Sequence, residues 1–198
     1  MSEGSRLLFS NLTRAADLIY SFKQVAVDQA SGERRNFAVN QWAHELLTSL
    51  GPVLQKAGHE VKTTCPEHLV LHTYPGALAQ VITNLVTNAV VHGYPDEVAG
   101  RIALEIVERG FDTVQIIVTD DGRGIAPELH TRVFDPFFTT GRDQGNTGLG
   151  LHIVYNLVTV TLQGRITMES HPGRGTRFTV SIPKSVAAPA PEPLLLSA

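Results

Sequence analysis

Cysteine is almost absent from this chain: Cys65 is the only one in 198 residues. That excludes an internal disulfide framework and a cysteine-based zinc cluster. A surplus of positive charge is missing too. Sixteen lysines and arginines stand against 19 acidic residues, a formal net charge of −3, so nothing electrostatic points to nucleic acid. No apolar run approaches the ~20 residues of a membrane helix, and the N-terminus lacks an apolar signal-peptide core. The expectation is a soluble, cytoplasmic chain. Two phosphate-binding signatures are also missing. There is no G-x-x-x-x-G-K-[ST] loop, and Gly145, Gly148 and Gly150 run as G-x-x-G-x-G, the reverse of the dinucleotide fingerprint. Gly122 and Gly124 begin such a fingerprint, but Pro127 occupies its third glycine position. No internal repeat is present. What remains is a hydrophobic content of 42%, ample for the core of one ordinary domain with an appendage.

The organising stretch is Val118 to Leu151. A strand-like run ends in Asp120, the pair Gly122 and Gly124 follows, and a long loop leads to Gly145, Gly148 and Gly150, which open a helix. A loop of that length inside a compact domain is usually a lid or binding loop. Glycines at both ends let the backbone take positive φ and approach a ligand. The helix start after Thr147 offers free N–H groups that suit phosphate. The pattern predicts a nucleotide pocket with a mobile cover, roughly Ala126 to Thr147.

Around that stretch the chain divides readily. Residues 5–28 carry Leu8, Leu12, Ala15, Ile19, Phe22 and Ala26 in alternating steps of four and three, a heptad seam that asks for a partner helix. A linker follows at Ser31 to Arg35. Phe37–Asn40 reads as a short strand, and Asn40 as the cap of a helix from Gln41 to about Ala57, ended by Gly58. His59–Thr64 and Leu69–Tyr74 read as strands around a turn at Pro66-Glu67. Pro75 opens the next helix, whose buried face is Leu78, Val81, Ile82, Leu85, Val86 and Ala89. Gln80, Asn84, Asn88 and His92 recur every fourth residue on it as a polar stripe. Arg101–Glu108 and Thr113–Asp120 form a hairpin. A last helix through Leu149, Ile153, Leu157 and Val160 is capped by Gly164, and a last hairpin pairs Arg165–Ser170 with Thr176–Ile182. The Ala- and Pro-rich tail from 184 to 198 is expected to be disordered.

Three polar residues stand out chemically. An ionised carboxylate only accepts hydrogen bonds, so Asp120 selects adenine's exocyclic amine over guanine's carbonyl. Asp before Gly is equally a common turn. Asn88 carries a hard amide oxygen of the kind Mg²⁺ takes, with phosphate and water filling the remaining positions. Asn84, one turn back, supports phosphate or water. His92 either meets a phosphate or is a helix C-terminal histidine favoured by the dipole.

The motifs then resemble a known family: the catalytic ATP-binding domain of sensor histidine kinases, within the wider group of gyrase-, chaperone- and mismatch-repair-type ATPases. Asn84 to Ala89 resembles its N box, Asp120 to Ile125 its first glycine box, and Phe134 to Thr140 its F box. Gly145 to Leu151 resembles the second glycine box and Gly175 to Phe178 the final G-T-x-F. The five motifs stand in family order over roughly residues 37–183. The resemblance implies an α/β two-layer sandwich, a mixed and largely antiparallel sheet under three helices, preceded by an N-terminal helix. It implies ATP and Mg²⁺ as ligands, with adenine on Asp120 near Thr176 and the metal on Asn88. Asn84, His92, Gly122, Gly124 and Ile125 would complete the base and phosphate contacts. Phe137, Phe138, Thr139, Thr140 and Arg142 would belong to the lid, and Gly148, Leu149, Gly150 and Leu151 to its far hinge.

Residues 1–35 then read as the second helix of a dimerisation and phosphotransfer hairpin plus linker, 36–183 as the ATP domain, and 184–198 as a tail. The acceptor helix is expected to lie outside this chain, so no catalytic residue is assigned. His44-Glu45-Leu-Leu-Thr48 imitates the acceptor motif H-E-x-x-T, but at the place of the ATP domain's own first helix. The implied partners are a phosphotransfer hairpin, a response-regulator receiver domain and a second copy in the full-length protein, which the chain would serve as a cytoplasmic portion. Two alternatives are an anti-sigma-factor type of serine kinase and a slow ATPase of the same group. Gyrase-type enzymes place a glutamate base where Asn84 stands, and an amide is no general base at neutral pH.

Overall fold

The computed structural model describes residues 33–94, 98–140 and 147–187. The heptad segment at 5–28, Ser31 and Gly32 of the linker, Arg142 and Gly145, and positions 188–198 lie outside those residues.

The chain enters through β1 (Arg35–Ala38) and passes directly into α1 (Val39–Lys56). Asn40 is not the cap. It lies inside the helix and its amide donates to the Cys65 carbonyl at 3.2 Å, while Ala38 holds the N-cap position. Strands β2 (Glu60–Thr64) and β3 (Val70–Thr73) follow, then α2 (Pro75–His92). β4 (Arg101–Arg109), β5 (Thr113–Asp120), α3 (Gly150–Asn156), β6 (Arg165–Ser170) and β7 (Thr176–Pro183) complete the described elements.

Two sheets form. β1 pairs antiparallel with β3, and the main sheet runs β2-β4-β5-β7-β6 with a single parallel pair, β2 to β4. β2 and β3, adjacent in sequence, thus part into different sheets. The alternation along β4, β5 and β7 sends Leu104, Ile106, Ile116, Val118, Phe178, Val180 and Ile182 to one face, all buried. α1, α2 and α3 cover that face, and α2 presents Leu78, Val81, Ile82, Leu85 and Val86, each at most 1% exposed. The predicted two-layer architecture is the one observed.

Two ends differ from expectation for identifiable reasons. α3 continues as one π turn over Leu157–Thr161, where the Leu162 N–H reaches five residues back to Leu157 at 2.8 Å. Gln163, not Gly164, takes the left-handed conformation (φ 53°) that ends it. Gly164 is needed for space, since a Cβ there would lie 2.3 Å from the Ser181 carbonyl oxygen. The C-terminal boundary also moves. Beyond β7, the Lys184 carbonyl accepts from the His72 N–H at 2.8 Å, the Val186 N–H donates to the His72 carbonyl at 3.0 Å, and Val186 is fully buried. The Arg34 guanidinium closes the strap on the Val186 carbonyl. Residues 184–187 therefore belong to the domain, because a strand edge on β3 was waiting for them.

Candidate functional site

The polar stripe of α2 is carried to the centre of the molecule by its apolar stripe. Burying Leu85 and Ala89 against the sheet leaves Asn88 and His92 facing the space between α2, the end of β5 and the start of α3. That space is a cavity of about 490 Å³, within the size range of small-molecule and cofactor sites.

Asp120, at the C-terminal end of β5, is only 6% exposed. Its carboxylate accepts the Gly122 N–H at 3.0 Å. Burial nevertheless raises its pKa above the ordinary carboxylate value, with the Gly122 and Thr176 amides opposing the rise. Thr176 faces it across the β5–β7 ladder. The Ser170 hydroxyl lies 3.0 Å from both the Gly175 carbonyl and Thr176 Oγ1, and accepts the Ile125 N–H at 2.7 Å. Donating to Gly175 commits the serine's single proton, so Thr176 donates to Ser170 and keeps acceptor capacity toward the cavity.

The glycine loop is shaped by contact. Gly124 has φ 69° and a Cβ there would lie 2.1 Å from the His171 carbonyl oxygen. Gly175 has φ 78° and its Cβ would lie 1.9 Å from the Asp120 carbonyl oxygen. Only glycine allows the loop and the β6–β7 turn to close on each other in this way. At the far side Gly148 (φ 70°) abuts the Phe137 and Phe138 backbones, and Phe137 itself is held at φ 64°. An aromatic residue in that region is a strained outlier of the kind that gathers at functional sites.

Most predicted residues meet. Asn88, His92, Asp120, Gly124, Ile125 and Thr176 line the cavity from one side. Phe138, Thr139, Thr140, Gly148, Gly150 and Leu151 line it from the other. Four do not. Asn84 lies one turn further back, its amide nitrogen buried without a partner among the described residues. Gly122 is packed under Gly93, Leu149 is a core residue 5% exposed, and Phe137 faces solvent at 48% exposure. Arg142 lies outside the described residues.

Sequence reasoning missed Arg123, Leu129, Val133 and Phe178, all of which line the cavity. Leu129 and Val133 are an i, i+4 apolar pair inside the presumed lid, a signal that was there to be used. They show that the first half of that loop is a packed wall. It opens with a 3₁₀ turn at Pro127–Leu129, Val133 is 6% exposed, and Phe134 packs edge-on against Phe178. Burial lowers the His92 pKa, and the Arg123 charge lowers it further. Its Nδ1 is buried and unpartnered among the described residues.

Residues 73–186 match the family model for histidine kinase-, DNA gyrase B- and HSP90-like ATPases. The chain belongs to that family. The sensor histidine kinase ZraS of Salmonella typhimurium is 42% identical over 109 residues, which is 55% of this chain and 22% of ZraS. The sensor histidine kinase RcsC of Escherichia coli is 32% identical over 189 residues, 92% of this chain and 19% of RcsC. Among solved structures, the catalytic domain of histidine kinase ThkA superposes with a TM-score of 0.67 at 28% identity, covering 78% of this chain and 99% of that domain. The chain therefore spans about a fifth of the length of these two curated relatives, and nearly all of a histidine kinase catalytic domain. In this family member Asp120 and Thr176 line the cavity where β5 and β7 meet, and Asn88 and Gly150 line it between α2 and α3. No helix of the described residues is long and apolar enough to cross a membrane.

Proposed function

We propose that this chain is the ATP-binding catalytic part of a two-component sensor histidine kinase, which binds Mg-ATP and delivers its γ-phosphate to a histidine on a helical hairpin. The observation that carries the reading is the buried carboxylate of Asp120 at one end of a nucleotide-sized cavity that Asn88 borders further along α2. Asp120 accepts the adenine amine, and Thr176, Gly124 and Ile125 surround the base. Phe138, Thr139, Thr140, Gly148, Gly150 and Leu151 close the phosphate side.

The residues fit a magnesium ion that comes in with the nucleotide. Gly150 leaves the Asn88 amide uncovered, since even an added Cβ there would stand 3.7 Å from its Oδ1. Among the described residues no group of three or more His, Cys, Asp or Glu side chains is placed to hold a metal, as suits an ion that draws most ligands from phosphate and water. Asn88 would hold it, and the ion would offset phosphate charge during transfer. Asn84 in place of a carboxylate leaves water without a base, which preserves the phosphoryl group for its acceptor. The partners proposed are a phosphotransfer hairpin, a second copy of the full-length protein and a response-regulator receiver domain.

Calorimetric titration with Mg-ATP and Mg-GTP tests the reading. Micromolar to millimolar binding of ATP with GTP at least tenfold weaker is expected, and equal affinities would remove Asp120 from the base site.

A further inference from the structure

Two described residues lining the cavity bear acidic or strongly basic side chains of opposite sign, Asp120 and Arg123. The carboxylate is engaged by backbone amides. The guanidinium is not: among the described residues no hydrogen bond or ion pair involves the Arg123 side chain. Its backbone is held on both sides. The Arg123 N–H donates to the Gly93 carbonyl at 2.7 Å, and its own carbonyl accepts the Gly173 N–H at 2.8 Å. A cationic tip with no partner among the described residues thus stands on a root clamped between the end of α2 and the β6–β7 turn.

Where that root lies decides what the tip can touch. Gly93 is at the Asp120 end of the cavity, for a Cβ on it would meet Asp120 Oδ1 at 3.4 Å. Asn88 is five residues earlier on α2, ~7.5 Å along the axis at 1.5 Å per residue. Arg123 is therefore rooted beside the base site and away from the metal end. Its charge is felt there by His92, whose pKa it lowers. A planar guanidinium stacks on aromatic faces in a way an ammonium does not.

We infer that Arg123 is a base-recognition residue, its guanidinium covering the purine face at the mouth of the cavity. The inference rests on the nucleotide reading above and adds to it a contact to adenosine that is independent of phosphate.

The test is competition binding on the 198-residue chain, with adenosine, ADP and Mg-ATP displacing a fluorescent ATP analogue from wild type, R123Q and R123K. The expected result is a loss of about fivefold in R123Q, the size of an ordinary cation–π contact, and equal for all three ligands. R123K should lose part of that, because an ammonium keeps the attraction to the purine face but not the stacking plane. Weaker ADP and ATP with unchanged adenosine would overturn the inference in favour of a phosphate contact. No change with any ligand would make Arg123 a solvated surface arginine. If wild type binds none of the three, the nucleotide reading fails and takes this inference with it. The His92 imidazole, followed by NMR, reports separately on the geometry: its pKa should rise in R123Q in an otherwise unchanged spectrum, and an unmoved pKa would also overturn the placement.

Discussion

Asp120 and Thr176 face each other across the β5–β7 ladder, both 6% exposed and both lining the cavity. Burial there opposes the carboxylate's charge more than the Thr176 amide favours it. Burial raises the Asp120 pKa, so the native state binds a proton more readily than the unfolded chain. A raised carboxylate contributes stability at low pH that is lost as pH rises through the folded-state pKa. At neutral pH the charge is therefore a cost to the empty domain. Asp120→Asn should raise the melting temperature of the nucleotide-free protein at pH 7, and the gain should vanish below about pH 4, near the unfolded carboxylate pKa. The same variant should bind ATP ~10- to 100-fold more weakly, for the loss of a charge-assisted hydrogen bond of ~1.5–3 kcal/mol. Melting curves at both pH values and calorimetry check the two halves. A variant that is less stable and binds normally would reverse the assignment.

Asn88→Ala should uncouple metal from nucleotide. Mg²⁺ should no longer tighten ATP binding, while adenosine binds as before, because Asn88 lines the cavity from α2 and Asp120 from the end of β5. Titrations of ATP and adenosine with and without Mg²⁺ measure this. An undiminished Mg²⁺ effect would put the ligand elsewhere.

Much of this arrangement was legible in the sequence because it is periodic or constrained by sterics. The buried face of α2 follows from the spacing of Leu78, Val81, Ile82 and Leu85, and the hairpins from alternation, so both appear where expected. The glycines near Asp120 were recognisable, though their partners were not. Gly175 meets Asp120 and Gly124 meets His171 only through the β5–β7 register and the β6–β7 turn, and long-range closeness of that kind leaves no local signature. Strand pairing was hidden for the same reason, as with β2 against β4 in parallel and the strap 184–187 on β3. Arg123 was visible as a residue between two glycines, but its lack of an ion pair among the described residues is a property of the folded surroundings.

Gly175→Ala should damage fold and site together. The new Cβ would meet the Asp120 carbonyl oxygen at 1.9 Å, in a backbone conformation of φ 78° that alanine resists. Overpacking of this kind costs ~1–3 kcal/mol, and the backbone that must yield is that of Asp120. Gly173→Ala is the control, since its Cβ would meet nothing within 4 Å and only the φ of 74° opposes it. Denaturant melts should rank Gly175→Ala below Gly173→Ala, with ATP affinity lost in the former. Equal stabilities would mean that the β6–β7 turn moves freely.

Transfer requires an acceptor nitrogen in line with the γ-phosphate, and positioning supplies most of the rate. Of the two matches to H-E-x-x-T, His44 is exposed on α1 and His59 precedes β2, and neither His59 nor any residue of α1 lines the cavity. The 198-residue chain incubated with γ-labelled ATP should therefore stay unlabelled, and His44→Ala should change nothing. Hydrolysis should also be slow, well under the median enzyme turnover of ~10 per second, because the amide of Asn84 cannot take a proton from water. Restoring a carboxylate there, as Asn84→Glu, should raise hydrolysis if the site is otherwise of the ATPase type. Supplying a phosphotransfer hairpin with its acceptor histidine as a separate chain should bring acid-labile label onto the hairpin. Acid-labile label on the chain itself, lost in His44→Ala, would make α1 the acceptor helix. Acid-stable label on a serine-bearing partner would move the protein to the anti-sigma type of kinase.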